Sequence, residues 1–240
     1  QPGVEFKNVS LTYSGSGAPS VEGINFKAMK GQTIGVIGGT GSGKSSLVNL
    51  IPRLYDATQG EVLVDGVNVK DYDIEALRNK VGIVMQKAVL FKGTIRENMW
   101  MGKKGATDEQ IDEALEISQS KEFVDSKQGR LDYVIEQGGK NLSGGQRQRL
   151  TIARAIVRKP DVLILDDSAS ALDFATDAAL RKAIRGMNNS PTVFIVSQRA
   201  ASLMYADLII VLDDGQVAGM GTHDELLACL LYTSPSPRDG

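Results

Sequence analysis

"GQTIGVIGGTGSGKSSLVNLI", residues 31–51, decides the fold. Its first part, Thr33–Ile37, is an apolar run of strand length. From Ser45 the pattern is helical and ends near Pro52, a residue that cannot continue a helix. Between them lies "GGTGSGKS", Gly38–Ser45, a full match to G-x-x-x-x-G-K-[ST] in its required strand–loop–helix setting. Glycines let the chain fold back so that successive N–H groups face one point, and the helix N-terminus adds partial positive charge. Such a loop holds phosphate. Gly38, Gly39, Thr40, Gly41, Ser42, Gly43, Lys44, Ser45 and Ser46 are the candidate cradle. Lys44 is long enough to reach β- and γ-phosphates, and the Ser45 hydroxyl suits Mg²⁺. The expected ligand is a nucleoside triphosphate.

The flanking sequence agrees. "VEFKNVSLTYSG", residues 4–15, alternates apolar and polar residues as a half-buried strand does, through Val4, Phe6, Val9, Leu11 and Tyr13. "GEVLVDGVNV", residues 60–69, reads as a hairpin about Asp65-Gly66. "KVGIVMQ", "DVLILD", "TVFIVS" and "DLIIVLD" read as buried strands, alternating with helices around Ala175–Arg185 and Ala200–Tyr205. "TDEQIDEALEISQSKEFVDS" opens with Thr107 and Gln110 at capping-box spacing, and "SGGQRQRLTIARAIVRKP" is a helix stopped by Pro160. The expected architecture is α/β, a P-loop NTPase with a mostly parallel central sheet and an antiparallel β subdomain. A helical insertion at about 90–145 completes one domain over residues 1–228.

Bulk properties narrow the class. A net charge of −2 offers no basic face for nucleic acid. The strand-sized apolar runs Val162–Leu165 and Leu208–Leu212 fall short of the roughly 20 residues of a membrane span, as does every other apolar run. One cysteine, Cys229, rules out a disulfide framework. Gln1-Pro2-Gly3 runs almost directly into a strand, so the chain is expected to be a piece of something longer. Residues 229–240, "CLLYTSPSPRDG", break the preceding pattern. Cys229–Asp239 closely resembles the translation of a sequencing-library adapter, so this tail is expected to be non-native.

A second chemical signal is "VLILDDSASALD", Val162–Asp173. A carboxylate at the end of a buried strand commonly holds a metal or primes a water. Asp166 fits the first task, its alternative being a helix cap, and Asp167 fits the second. The third signal is "LSGGQ", Leu142–Gln146, at the start of the helix that Pro160 stops.

With a P-loop upstream and acids downstream, this chain resembles the nucleotide-binding domain of ATP-binding cassette (ABC) transporters over essentially Val4–Ala228. The family's elements occur in order: Tyr13, the P-loop, Gln86, "LSGGQ", the acids and "SALD" (Ser170–Asp173). "LFKGTIRENMW" and "GTHDELL" are similar to the exporter branch. The resemblance implies that Tyr13 stacks on adenine and that Ser45, Gln86 and Asp166 serve Mg²⁺. It implies that Ser143, Gly144, Gly145 and Gln146 meet the γ-phosphate held by another cassette, with Asp173 crossing the interface. Two cassettes would then enclose two ATP molecules head to tail, on the cytoplasmic face of a membrane. A transmembrane domain would be fused before Gln1.

Two positions depart from the family pattern. Hydrolytic members usually have glutamate where this chain has Asp167, one methylene and up to roughly 1.5 Å shorter. They usually have histidine where this chain has Gln198, which hydrogen-bonds but carries no proton charge. The only histidine, His223, lies elsewhere. The catalytic set is therefore read as Lys44, Gln86, Asp167 and Gln198 for its own site, with Ser143 and Gly145 lent to a partner. The expectation is one half of a heterodimeric exporter whose own site grips ATP and cuts it slowly. A regulatory cassette, a homodimeric exporter with a slow base, and a soluble relative in chromosome maintenance or translation are the competing readings.

Overall fold

The first strand shows how local pattern becomes shape. Its apolar residues move from even to odd positions between Phe6 and Val9, so a regular strand would turn half of them to solvent. β1 (Pro2–Leu11) resolves this with a bulge between Phe6 and Val9, where Asn8 takes a φ of 53°. Val4, Phe6, Val9 and Leu11 are all buried as a result.

A computed structural model describes residues 1–87, 89–167 and 171–229. The chain gathers into two compact units, Gln1–Val81 with the chain from Thr192 onward, and Gly82–Pro191. The first unit contains β1, β2 (Val21–Met29), β3 (Thr33–Ile37), α1 (Lys44–Asn49), β4 (Gln59–Val64), β5 (Val67–Asn68) and α2 (Ile74–Lys80). The second contains β6 (Val81–Val84), β7 (Gly93–Thr94), α3 (Ile95–Trp100), α4 (Asp108–Ile117) and α5 (Lys121–Asp125). It continues with β8 (Val134–Ile135), α6 (Gly144–Ile156), β9 (Val162–Asp166) and α7 (Phe174–Arg185). The chain then returns to the first unit with β10 (Thr192–Ser197), β11 (Leu208–Asp213), β12 (Gln216–Gly221) and α8 (His223–Ala228). Cys229 is exposed and follows α8, while the remainder of the adapter-like tail, 230–240, lies outside the described residues.

In the first unit, β2-β1-β4-β5 form an antiparallel sheet whose β4–β5 turn is Asp65-Gly66, both at positive φ. Phe6 stacks on Phe26 with ring centroids 4.5 Å apart, and Phe194 of β10 meets Phe26 edge-on. β3 runs parallel to β10 on one side and β11 on the other, and β12 closes that side antiparallel. The register pairs Ile37 with Ser197. Gly38 and Gln198 therefore leave neighbouring strands at the same C-terminal edge, where ligands bind in open α/β sheets.

The segment expected as a helix around Ala200–Tyr205 is instead a 3₁₀ turn, Ala200–Leu203. Its apolar residues explain the difference. Ala200, Leu203 and Ala206 recur every third position, the repeat at which 3₁₀ side chains eclipse. All three are buried in one cluster with Ile37, Ile209 and Leu226.

In the second unit, "GTIREN" is held by one side chain. Asn98 is 1% exposed. Its Oδ1 accepts from Phe91 N–H at 2.9 Å, and its Nδ2 donates to the carbonyls of Phe91 at 2.9 Å and Thr94 at 3.1 Å. Thr94 meanwhile caps α3 in a capping box with Glu97. Asn98→Ala should destabilise the chain by about 1–3 kcal/mol, because it removes three part-buried hydrogen bonds that hold the Phe91–Thr94 loop. Chemical denaturation of the two proteins measures this. A change within about 0.5 kcal/mol would show that the Phe91 loop finds other partners.

Candidate functional site

The phosphate-loop residues lie together in the first unit. Every residue of β3 is buried, and the chain leaves it through Gly38. A Cβ on Gly38 would lie 2.2 Å from Ser42 Oγ and 2.9 Å from the Leu212 carbonyl oxygen. Gly43, at a φ of 96°, would place one 2.4 Å from the Ser20 carbonyl oxygen. Both close approaches are possible only for glycine. Ser42 N–H donates to Gly39 O at 3.1 Å, Ser42 O accepts from Gly215 N–H at 2.9 Å, and Ser42 Oγ is buried with no partner. Lys44 folds back over the loop, its Nζ donating to Gly39 O at 3.3 Å. The arrangement is a cradle closed by a cation, the geometry that backbone recognition of phosphate requires.

Two further predicted residues meet this loop. Gln198 reaches Thr40, with Nε2 3.5 Å from Oγ1, the outer limit of a hydrogen bond. Tyr13 lies just beyond β1, and its Oη and Ser46 Oγ are 2.7 Å apart. Sequence alone brought neither pair together, since 158 and 33 residues separate the partners.

The other predicted residues belong to the second unit. Gln86 is exposed in the turn after β6. Asp166 ends β9 and Asp167 follows it with a φ of 53°, a left-handed conformation that aspartate tolerates better than most side chains. Of "SALD", Ser170 lies outside the described residues. Asp173 is the N-cap of α7, its Oδ1 accepting from Thr176 N–H at 2.7 Å. Hydrogen bonds from Thr176, backbone first, hold its carboxyl below the usual range.

The signature residues start α6. Ser143 Oγ accepts from Gln146 N–H, and Gln146 Oε1 accepts from Ser143 N–H, each at 3.1 Å. This reciprocal cap leaves the N–H groups of Gly144 and Gly145, the first two of the helix, pointing outward. Ser143 still has its hydroxyl proton to donate. Neither glycine is required by its own chain: a Cβ on Gly144 would come no nearer than 3.7 Å to another atom, and on Gly145 no nearer than 3.4 Å. Neither has a positive φ.

Several residues that support this helix carry no sequence signal. Arg149 donates from Nε to Gly145 O at 3.2 Å and from Nη1 to Gln119 O at 2.7 Å, with its guanidinium 4.9 Å from the Phe123 ring centre. Burial pushes its pKa down from the usual arginine value. Gln148 Oε1 accepts from Ala171 N–H at 2.8 Å, linking the helix to the loop before α7. Farther along, Arg154 donates to Val89 O and lines a cavity of about 230 Å³ with Ile83, Phe91, Met101 and Arg158.

Comparison with known proteins places this geometry. The sequence pattern of the family described as ABC transporter matches residues 21–170. The chain belongs to the ABC transporter family. Curated relatives include a protein of Staphylococcus aureus described as a multidrug export ATP-binding/permease protein, 39% identical over 225 residues. One of Bacillus subtilis with the same description is 41% identical. Each alignment covers 94% of this chain and 39% of the relative, so the chain spans about two fifths of those proteins' length. A solved structure described as a bacterial Atm1-family ABC exporter with ATP bound matches with a TM-score of 0.88 and 32% identity, over 95% of this chain and 40% of that one. The fold is that of an ABC cassette: α/β, with a mixed sheet and an antiparallel β subdomain. Among the described residues, no helix is long and apolar enough to cross a membrane.

Proposed function

We propose that this chain is the ATP-binding part of an ABC exporter and works as one of two unlike cassettes. It binds ATP at its own P-loop, hydrolyses it slowly there, and lends Ser143–Gln146 to a partner's site. The observation that carries the pairing is the pair of glycines at the head of α6. Glycine destabilises a helix by about 1 kcal/mol relative to alanine, and here no contact within the chain requires it. Glycine at such a place admits close backbone approach by something outside the chain. Two outward N–H groups and a hydroxyl proton suit an anion, the γ-phosphate of a nucleotide on another cassette.

At its own site, the Gly38–Ser45 cradle and Lys44 bind the phosphates, and Tyr13 stacks on the base. Ser45, Gln86 and Asp166 are the proposed Mg²⁺ ligands, all presenting hard oxygen atoms. No cluster of three or more His, Cys, Asp or Glu able to hold a metal occurs among the described residues. A donor set of one hydroxyl, one amide oxygen and one carboxylate suits an ion completed by substrate phosphates rather than an all-protein cage. Bound there, Mg²⁺ would offset charge on the β- and γ-phosphates. Asp167 orients the attacking water from too far back, and Gln198 contacts the γ-phosphate without supplying a proton. Asp173, already capping α7, is the residue that faces the second cassette.

The relatives' names join ATP-binding to permease. A membrane-embedded portion is accordingly the second proposed partner, with this chain on the cytoplasmic face. The cavity lined by Arg154, Arg158 and the exposed Phe91 and Met101 offers that portion a part-polar, part-apolar seat, with Phe91 a few residues from Gln86.

Titration of ATP into the purified chain tests the binding half. Lys44→Ala should weaken ATP affinity about ten- to a hundredfold, the loss of one charge-assisted contact. Assembling the chain with its partner tests the rest. Turnover that survives Asp167→Asn but stops when the partner's own glutamate is replaced supports the reading. An assembled pair that binds ATP without turnover makes this a regulatory cassette. Brisk ATP hydrolysis by the chain paired only with itself would overturn the asymmetry.

A further inference from the structure

Tyr55 sits on the turn after α1, 46% exposed, and side-chain hydrogen bonds hold the chain on either side of it. Arg53, at a φ of 56°, closes over it with a two-point ion pair to Asp56, Nε–Oδ1 at 2.8 Å and a second nitrogen to Oδ2 at 3.1 Å. Arg78 donates to the carbonyls of Pro52 and Arg53, and Lys70 Nζ donates to Ala57 O at 3.1 Å. Arg78 and Lys70 thus hold backbone carbonyls on both sides of an exposed aromatic residue, and the Arg53–Asp56 pair spans it. What that residue touches is Tyr13: the rings meet edge to face, centroids 4.8 Å apart at 79°. The Tyr13 hydroxyl is bonded in turn to Ser46, in the helix that follows the phosphate loop.

A tyrosine on a loop has two soft torsions, and as a stacking platform it gains from losing them before a ligand arrives. Tyr55 restrains the ring, and Ser46 restrains the hydroxyl. A serine hydroxyl has two acceptor sites and one proton, so Ser46 can accept from Tyr13 and still donate to a phosphate oxygen. We propose that Tyr55 is a positioning residue for nucleotide-base recognition. Together with the Tyr13–Ser46 bond it sets the Tyr13 platform and ties that platform to the phosphate cradle. This rests on the reading above that Tyr13 stacks on the base.

The test is equilibrium binding of ATP and of inorganic tripolyphosphate to the same purified chain. Tyr55→Ala should lower ATP affinity about two- to tenfold, the range for one aromatic pair, and leave tripolyphosphate binding unchanged. Tyr55→Phe, which keeps the ring, should restore ATP binding. Tyr13→Phe should lower ATP affinity by a similar factor through loss of the hydroxyl. If Tyr13→Ala weakens ATP but Tyr55→Ala does not, the positioning role is wrong while base stacking stands. If Tyr13→Ala leaves the preference for ATP over tripolyphosphate intact, base stacking itself is wrong. A parallel fall of both ligands in Tyr55→Ala would assign Tyr55 to the fold of the loop and overturn the proposal. Unchanged ATP affinity in Tyr13→Phe would remove the Ser46 link.

Discussion

Alanine at Gly145 should leave the folded chain as stable as before, or slightly more so, and reduce turnover of the assembled pair on the order of a hundredfold or more. The two halves of that expectation have separate causes. Within the chain, the added methyl would find the Ala171 carbonyl oxygen at 3.4 Å and Leu172 Cδ2 at 3.8 Å, ordinary contact distances. Replacing helical glycine by alanine also removes backbone freedom from the unfolded chain, which stabilises by about 0.4–1 kcal/mol. Across the proposed interface, the same methyl stands where a phosphate must approach two backbone N–H groups. Removing one preorganised donor to developing charge typically costs on the order of 10²–10³ in rate. A thermal melt of the variant and the ATPase activity of the pair check the two halves together. Undiminished turnover would mean that α6 does not meet a nucleotide. Gly43 is the contrasting case, because a methyl there strikes the Ser20 carbonyl at 2.4 Å and would damage the chain's own loop.

Much of this fold is legible because its signals are local. The strand, glycine loop and helix of residues 31–51 are contiguous, and the Asp65-Gly66 hairpin and the Thr107–Gln110 cap each need four residues or fewer. The signature cap is of the same kind, Ser143 to Gln146. What sequence reading missed depends on partners far apart in the chain. The β7–β8 pairing joins residues 93–94 to 134–135 inside a stretch that reads as helical. Arg149 could be an exposed helical charge on pattern alone; only the fold brings Gln119 O and the Phe123 ring to it. The segment Ala200–Tyr205 reads as a helix yet forms a 3₁₀ turn for another reason. Its apolar residues recur every three positions, close to the spacing of an α-helix face and separable from it only by a longer run. The site residues divide similarly. Their types announced phosphate chemistry, but the Gln198–Thr40 contact required the strand register that sets β10 beside β3, and the Tyr13–Ser46 contact required the fold of the first unit to bring the end of β1 to α1.

The double replacement Asp167→Glu with Gln198→His should raise hydrolysis at this chain's own P-loop on the order of a hundredfold. A catalytic base must lie within about 2.6–3.2 Å of the proton it takes, and a misplacement of about 1 Å can cost a hundredfold in rate. Asp167 is one methylene short of the usual glutamate. Its backbone adds a constraint, because the φ of 53° suits aspartate better than glutamate. The longer side chain alone therefore recovers reach at some expense in backbone strain, and Asp167→Glu by itself should fall well short of the pair. Gln198 already stands at the phosphate loop, its amide beside Thr40, so histidine there needs no new backbone position. Histidine also brings a group that titrates near pH 6.5, which glutamine lacks. Single-turnover hydrolysis at this site, with a partner's signature supplied, should then gain a pH dependence centred within about a unit of that value. A faster site without that dependence would credit reach alone. A folded, ATP-binding double variant with unchanged turnover would mean that neither reach nor proton transfer limits this site, and the reading of it as a holding site would lose its physical basis.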